Sequence, residues 1–187
     1  MLIDYTKYKD FNKLHDIFRE VKSLYDIEKD PADFKIEDWN EDTWKSGQHD
    51  PKIETWSYDI YNVYSKRTVP ERYASVVEKI KNLHGICYSA VIIVNPHADM
   101  PKHTDWSHIE GMDDDNPDKT FTLMYYLKQP KTTEEFCGMK FDNKKLYLPE
   151  DSILCLDGGR VEHAVYNCTD EIRVSLCISI LETSFDL

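Results

Sequence analysis

The second half of the chain is a succession of short β-rich segments, and this feature constrains the fold more than any other. Turn-forming residues stand between the segments, for example at Asn95-Pro96 and Gly158-Gly159. Short strands that alternate with turns in this way predict an antiparallel sandwich, barrel or jelly roll. The strand candidates are residues 86–94, 121–127, 145–148, 153–156, 161–166 and 172–181.

The part of the chain before Gly85 predicts a helical and aromatic flank. Apolar side chains recur between residues 5 and 25 at spacings of three and four, which places them on one face of a helix. A second helix is predicted from Pro70 to Leu83, because proline suits a first helical turn and Gly85 suits a stop. Apolar residues alternate over 56–60, as they do in a half-buried strand.

These predictions combine into a mainly β fold with flanking helices. No linker separates the two parts, so we expect a single domain over residues 1–187. Within it, residues 1–85 form the N-terminal flank and residues 86–181 form a jelly-roll core on which the N-terminal helices pack.

Composition excludes several classes of function. The 187 residues contain 23 Lys and Arg against 35 Asp and Glu, a net charge of −12. Such a surface disfavours a nucleic acid partner and mildly favours a neutral or cationic small molecule. No signal peptide or transmembrane segment is visible. Five cysteines without a C-x-x-C pair predict reduced thiols, mostly buried, in a cytoplasmic protein.

Three residues have the chemistry of a metal site. His103 and Asp105 are two positions apart, so in an extended chain their side chains project to the same face. His163, on a distant strand, supplies a third ligand. Two histidines and one carboxylate on one face leave coordination positions open, an arrangement that suits non-haem Fe(II).

A candidate anion receptor follows on the last predicted strand. Arg173 and Ser175 are again two positions apart and face the same side of the strand. An arginine among apolar strand neighbours is costly to bury unless an anion pairs with it. A guanidinium can bind a carboxylate through two parallel hydrogen bonds, and the serine hydroxyl adds a third donor. Pairing of Arg173 with a nearby acid, Asp170 or Glu171, is the alternative.

The combination His103-x-Asp105, His163 and Arg173-x-Ser175 resembles the Fe(II)/2-oxoglutarate-dependent dioxygenases with a double-stranded β-helix core. The resemblance covers roughly residues 86–181. Residues 120–127 look like the strand after H-x-D in prolyl 4-hydroxylase-like members. Residues 157–176 are similar to the distal-histidine segment of those enzymes and of aspartyl/asparaginyl β-hydroxylase-like ones. The latter often lack the carboxylate ligand, whereas this chain keeps Asp105.

The resemblance implies a function and further site residues. Fe(II) would be held by the triad, 2-oxoglutarate would chelate the iron, and Arg173 with Ser175 would hold its C5 carboxylate. O₂ would then be used to hydroxylate a substrate, with formation of succinate and CO₂. Family members often use a strand tyrosine on 2-oxoglutarate, for which Tyr88 and Tyr125 are the candidates. Tyr125 and its neighbour Tyr126 must face opposite sides of their strand, so only one of them can face the pocket.

Substrate contacts are the least constrained part of the site. Asn95, His97 and Trp106 lie close to the H-x-D segment and are candidates, although Asn95-Pro96 also suits a plain turn. We expect hydroxylation of an amino acid, a small metabolite or a peptide side chain. The alternatives are a cupin-like metal enzyme that does not use 2-oxoglutarate and a non-enzymatic jelly-roll binding module.

Overall fold

Nine strands and two α-helices make up the computed structural model, which describes residues 2–30, 55–63, 69–105, 120–132, 137–141 and 143–187. The helices are α1 (Phe11–Leu24) and α2 (Ala74–Lys81), and short 3₁₀ turns lie at Tyr5–Lys7, Glu71–Tyr73 and Glu182–Ser184. The strands are β1 (Thr55–Asn62), β2 (Ile86–Val94), β3 (Asp99–His103), β4 (Thr120–Lys128), β5 (Gly138–Phe141), β6 (Lys144–Leu146), β7 (Ile153–Leu156), β8 (His163–Tyr166) and β9 (Arg173–Leu181).

The strands form two antiparallel sheets. The larger sheet has the order β1-β2-β9-β4-β7, and the smaller has the order β3-β8-β5-β6. This is the double-stranded β-helix that the sequence predicts, with helices packed on it. β1 pairs along β2 from Thr55↔Val94 to Asn62↔Tyr88, so the N-terminal part of the chain adds an edge strand to the larger sheet.

The two faces of the larger sheet differ in chemistry, and β9 shows this most clearly. Its even-numbered residues from Val174 to Ile180 are apolar and join the core beneath the helices. Its odd-numbered residues from Arg173 to Ser179 are mostly polar and point to the other face, here called the inner face. The polar groups of β9 are thereby directed away from the helix-packed core.

Helix α1 covers the outer face of the larger sheet. Its buried side chains are Leu14, Ile17, Phe18 and Val21, which recur at helical spacing. The prediction of one helix over residues 5–25 is wrong at its start. The Asp4 carboxylate accepts a hydrogen bond from the Thr6 N–H and caps a separate 3₁₀ turn, and α1 begins only at Phe11. The second predicted helix likewise divides into a 3₁₀ turn and α2.

Two strands of the smaller sheet, β3 and β5, are not predicted from the sequence. In β3, Met100 is the one residue that is buried, and the strand contains a proline, so its pattern is that of a loop. β5 has four residues and begins with Gly138. β8 begins two residues later than predicted, because the Val161 N–H bonds to the Asp157 carbonyl oxygen in a turn. By contrast, β2 and β7 have the predicted bounds.

The cysteine prediction is correct for three residues and wrong for two. Cys87, Cys155 and Cys177 are free and buried. Cys137 and Cys168 form a disulfide, with their Cα atoms 5.3 Å apart. The pairing Gly138↔Tyr166 brings the start of β5 beside the end of β8, so two cysteines 31 positions apart become neighbours.

Candidate metal centre

The structure brings the three predicted metal ligands together. His103 ends β3 and His163 begins β8, and the two residues are directly paired across the strands. Their imidazole rings lie 4.4 Å apart between centroids. Asp105 follows β3 by two residues, and its N–H donates to the Gly158 carbonyl oxygen at 3.0 Å, which fixes the turn that presents its carboxylate.

The ligand atoms converge on one point. Oδ1 of Asp105 lies 3.6 Å from Nε2 of His103 and 3.4 Å from Nε2 of His163. One donor atom from each residue lies within 4.8 Å of the other two, a separation that a single bound cation can bridge. Among the described residues this is the one such group of histidine, cysteine and acidic side chains. Two imidazoles and a carboxylate form the facial donor set of non-haem iron sites.

Backbone carbonyls orient both imidazoles. Nδ1 of His103 lies 2.6 Å from the Pro101 carbonyl oxygen, and Nδ1 of His163 lies 3.0 Å from that of Val161. A carbonyl oxygen only accepts, so each Nδ1 carries the proton and donates it. Each Nε2 is then left with a lone pair directed at the centre, as metal-ligating histidines require.

Asp105 is held from its other side. Its Oδ2 accepts a hydrogen bond from Oγ1 of Thr122 at 2.5 Å. Gly158 makes room for this contact, since a Cβ there would stand 2.1 Å from Oδ2 of Asp105 and 2.2 Å from Oγ1 of Thr122. Neither Thr122 nor Gly158 is a candidate from sequence, because a threonine in a strand and a glycine in a turn are ordinary at those places.

The charges within the triad favour a bound cation. Burial raises the pKa of the Asp105 carboxyl, but the nearby imidazoles of His103 and His163 and the hydrogen bond from Thr122 outweigh this and hold the pKa well below its usual range. Burial lowers the pKa of His163, and the adjacent Asp105 carboxylate outweighs that and raises it; a cation bound at the centre would take the place of the proton on Nε2. The carboxylate thus stays ionised at the centre of the group, where it can ligate a metal.

Arg173 and Ser175 lie on the inner face of β9, as predicted. Arg173 is only 3% exposed. Its Nε and Nη1 make no hydrogen bond to any part of the chain that the structure describes. A buried guanidinium with unsatisfied donors is costly, so the position is suited to an anion that supplies acceptors.

The tyrosine beside Arg173 is Tyr126, which corrects the choice of Tyr125. The guanidinium carbon of Arg173 lies 4.9 Å from the centroid of the Tyr126 ring, and Tyr126 pairs with Ser175 across the strands. Tyr125 faces the outer side, where its ring stacks on Phe18 at 4.5 Å and its hydroxyl donates to Asp151. The apolar contact with α1 decides which of the two adjacent tyrosines faces inward.

The other predicted site residues lie in different places. Tyr88 faces the inner side, and its hydroxyl donates to Oδ1 of Asp59 at 2.9 Å. His97 is exposed and its Nε2 lies 2.7 Å from Oδ1 of Asp170, which directs the ring to the β8–β9 loop. The Asn95 carbonyl oxygen accepts from the Asn167 side chain at 2.9 Å in the same loop contact. The structure thus places His97 and Asn95 in turn contacts. Trp106 lies outside the described residues.

Fold and site together define the chain as a double-stranded β-helix protein with a candidate site for one metal ion. Its family follows from sequence comparison. The model of the aspartyl/asparaginyl β-hydroxylase family matches residues 12–183, so the chain belongs to that family, and the presence of Asp105 does not exclude it. The family supports a hydroxylase-type function for the chain, as an oxygenase-type enzyme.

Several solved structures are similar to the chain at low sequence identity. An oxidoreductase of the 2OG-Fe(II) oxygenase family from Burkholderia pseudomallei is 12% identical with a TM-score of 0.45, covering 73% of this chain and 72% of its own. The viral collagen prolyl hydroxylase of Paramecium bursaria Chlorella virus-1, solved with 2OG, is 16% identical with a TM-score of 0.45, covering 68% and 78%. A Cupin_2 domain of an XRE family regulator from Enterobacter cloacae is 13% identical with a TM-score of 0.39, covering 68% and 97%.

Two further findings concern relatives and membranes. No curated protein sequence matches the chain significantly. Within the described ranges, neither helix is long and apolar enough to cross a bilayer.

Proposed function

We propose that this chain is an Fe(II)- and 2-oxoglutarate-dependent dioxygenase. It hydroxylates a C–H bond of an amino acid, a small metabolite or a peptide side chain, and 2-oxoglutarate is converted to succinate and CO₂. The observation that carries the proposal is the pairing of a His-Asp-His triad with the buried, unsatisfied guanidinium of Arg173. A metal site alone would not need that second group.

The triad would hold the iron. His103 and His163 offer neutral Nε2 lone pairs, and Asp105 offers an ionised oxygen, which together match the donors that non-haem Fe(II) oxygenases use. Bound iron would supply the activation of O₂. Thr122 holds Asp105 at its other oxygen and so fixes which oxygen faces the metal.

Arg173 would bind the distal carboxylate of 2-oxoglutarate. Its Nε and Nη1 have no acceptor among the described residues, and a guanidinium can form two parallel hydrogen bonds to one carboxylate. Ser175 and Tyr126 lie opposite one another on the inner face beside it. Cys177 also lies on the inner face of β9. Burial raises the pKa of its thiol and the Asp105 carboxylate raises it further, which supports a position of this face near the triad.

The decisive variant is Arg173→Lys. Lysine keeps the positive charge but loses the two-pronged donor, so we expect the KM and Kd for 2-oxoglutarate to rise about tenfold or more. Succinate formation with Fe(II) and anaerobic calorimetry with 2-oxoglutarate measure the two constants. Arg19→Lys, on the exposed side of α1, is the matched control and should leave both unchanged.

Two results would count against the proposal. Unchanged constants in Arg173→Lys would remove the role of Arg173. Metal binding by the wild type without any 2-oxoglutarate binding would favour a cupin-like metal enzyme that uses no 2-oxoglutarate. We further propose that the enzyme acts on a small-molecule or peptide substrate, with no nucleic acid or membrane partner; the charge of −12 supports this choice of substrate.

A further inference from the structure

The disulfide between Cys137 and Cys168 lies, along the chain, between two parts of the proposed site. Cys168 comes five residues after the candidate ligand His163 and five residues before Arg173. It belongs to the connection between β8 and β9, residues 167–172, and Cys137 directly precedes β5. The bond therefore attaches the connection that leads into Arg173 to a strand of the smaller sheet.

The backbone of Arg173 depends on this connection because Arg173 is the first residue of β9. In the ladder between β2 and β9, the pair Val94↔Arg173 is the terminal one. The ladder between β4 and β9 reaches only as far as Val174. A residue at the end of a ladder opens more easily than one in its middle, so the segment before Arg173 decides how firmly it is held.

Hydrogen bonds inside the connection supplement the disulfide. Nδ2 of Asn167 donates to three backbone carbonyl oxygens, including that of Glu171 at 2.8 Å. Oγ1 of Thr169 donates to the same Glu171 oxygen at 3.1 Å. These bonds do not depend on the disulfide, so we expect the strands to stay paired when it is broken. Residues 168–172 would then lose their covalent attachment to β5 and gain freedom directly before Arg173.

The two sulfurs of the disulfide have different surroundings. Cys137 is buried, whereas Cys168 is partly exposed. The Cys168 N–H donates to Sγ of Cys137 at 3.0 Å. A backbone N–H directed at a sulfur stabilises negative charge there, and thiol–disulfide exchange is faster when the leaving thiolate is stabilised. Attack on the more exposed Cys168, with Cys137 as the leaving thiolate, is therefore the favoured direction of exchange.

Space exists beside the leaving sulfur. A cavity of about 220 Å³ is lined by Cys137, Gly138 and Tyr166, among other residues. That volume holds several water molecules, each of which takes about 30 Å³ in the liquid. Water there can hydrate the Cys137 thiolate and supply its proton, so that breaking the bond does not leave an unsolvated charge in the interior.

We propose that Cys137–Cys168 is a reversible thiol–disulfide switch that controls how firmly Arg173 is held for its anion. A dithiol reductant supplies the two electrons. One of its thiolates bonds to Sγ of Cys168, the S–S bond breaks, and Cys137 leaves as a thiolate and is protonated. The second thiol of the reductant then attacks the mixed disulfide and closes the reductant's own disulfide. It loses its proton, and the released Cys168 thiolate gains one.

An excess of the oxidised dithiol runs the same exchange backward and restores the bond. This inference rests on the proposed function, because the site that the switch regulates is the one proposed for 2-oxoglutarate.

Mass spectrometry of the folded chain tests the exchange. Excess glutathione followed by an acid quench should trap the mixed disulfide on Cys168. Dithiothreitol should reduce the bond without a denaturant, so that alkylation after later denaturation labels five cysteines instead of three. A bond that both reagents leave intact in the folded chain overturns the proposal, and so does glutathione found on Cys137 instead of Cys168.

Hydrogen exchange and calorimetry on oxidised and reduced wild type test the control of Arg173. Anaerobic gel filtration first removes the reagent. Reduction should raise the exchange rates of the amides of residues 169–173 about tenfold and leave those of β2 unchanged. The Kd for 2-oxoglutarate with Fe(II) should rise about fivefold or more, because freed residues must be ordered again when the anion binds. Reoxidation should restore both values.

Variants assign these effects to one bond. Cys137→Ser/Cys168→Ser should have the Kd of reduced wild type and should not respond to dithiothreitol. Cys87→Ala, which removes a free thiol and keeps the disulfide, should respond as wild type does. Unchanged hydrogen exchange on reduction of wild type overturns the proposal, as does an unchanged Kd, and neither result needs a variant to fold.

The two proposals fail in different ways. If 2-oxoglutarate binds with the same Kd in the oxidised and reduced states, the switch alone is wrong. If oxidised wild type binds no 2-oxoglutarate, the dioxygenase proposal is wrong. The switch is then decided by mass spectrometry and hydrogen exchange, which need no co-substrate.

Discussion

Single atoms around Asp105 determine whether the triad can form. Its two oxygens have separate roles: Oδ1 faces both imidazoles and Oδ2 accepts from Thr122. Outer contacts of this kind typically change metal affinity or activity 10- to 100-fold when removed. The turn at Gly158 belongs to the same arrangement, because its backbone carbonyl accepts the Asp105 N–H.

Gly158→Ala should disrupt the metal centre through contact alone. The new Cβ would stand 2.1 Å from Oδ2 of Asp105, so the carboxylate or the turn must move. We expect metal affinity, measured by calorimetry with Fe(II) under anaerobic conditions, to fall about tenfold or more. Gly159→Ala, in the same turn and without a positive φ in the parent glycine, is the control and should bind metal normally. Equal affinity in the two variants would contradict the role of this contact.

Sequence predicts the candidate ligand residues better than the residues that support them. His103, Asp105, His163 and Arg173 are unusual residue types for their surroundings, and their spacing adds information. Thr122 and Gly158 are common types, and their importance depends on a neighbour from another strand. The choice between Tyr125 and Tyr126 could not be made from alternation, because alternation fixes that they differ in face but not which of them faces α1.

At the scale of elements, hydrogen bonds hold the connection between β8 and β9, and β9 begins at Arg173 directly after it. Asn167 is buried at its start, and its side-chain Nδ2 donates to the carbonyl oxygens of Val94, Asn95 and Glu171. The His97 N–H donates to the Thr169 carbonyl oxygen in the same place. The disulfide from Cys168 to Cys137 attaches this connection to β5.

The disulfide should contribute measurably to stability. Closing a loop of 31 residues restricts the unfolded chain by an amount that the chain-entropy relation puts at about 3–4 kcal/mol. We expect the Cys137→Ser/Cys168→Ser double variant to lose about that much free energy of unfolding in urea. Wild type treated with a reductant should behave like the double variant, and the double variant treated the same way should not change. Superimposable urea curves for oxidised wild type and the double variant would show that the disulfide does not stabilise the fold.

The elements that the sequence missed share a physical cause. β3 and β5 belong to the smaller sheet, where Pro101 and Gly138 interrupt the usual strand composition. Their pairing with β8 supplies the hydrogen bonds that local propensity does not favour. The long strands β2, β4 and β9 are central in the larger sheet and are predictable because apolar residues of high β-propensity recur along them.

For the whole molecule, the two faces of the larger sheet differ in chemistry. The outer face, with α1 and α2, contains most of the apolar core. The inner face keeps Thr122, Arg173 and Ser175 away from that core, and Thr122 contacts Asp105 of the triad. The net charge of −12 therefore coexists with one buried cation, Arg173, at the position where an anionic co-substrate is proposed to bind. The N-terminal segment stabilises the fold by connecting the start of α1 to the turn before β2.

Asp10 makes that junction, and its titration should be visible in the pH dependence of global stability. Burial raises the pKa of Asp10, but hydrogen bonding to Lys13 and His84 outweighs this and brings it to about 2. The carboxylate accepts from the His84 N–H at 2.8 Å, between the start of α1 and the turn after α2. A folded pKa below the unfolded value of 3.8 means that this contribution is fully present above pH 3.8 and is lost as pH falls toward 2.

The comparison of wild type with Asp10→Asn isolates this group from the other acids. Lys13 and His84 are largely exposed, so screening limits the contribution to about 1 kcal/mol. Urea unfolding at pH 5 should show wild type more stable by about that amount. The difference should shrink as the pH falls from 3.8 through 2, because Asp10 is then increasingly protonated in the folded state as well. Asp16→Asn, on the exposed surface of the same helix, should show a much smaller difference at pH 5. A difference between wild type and Asp10→Asn that is constant from pH 5 to pH 2 would mean that the Asp10 side chain acts through shape and not through its charge.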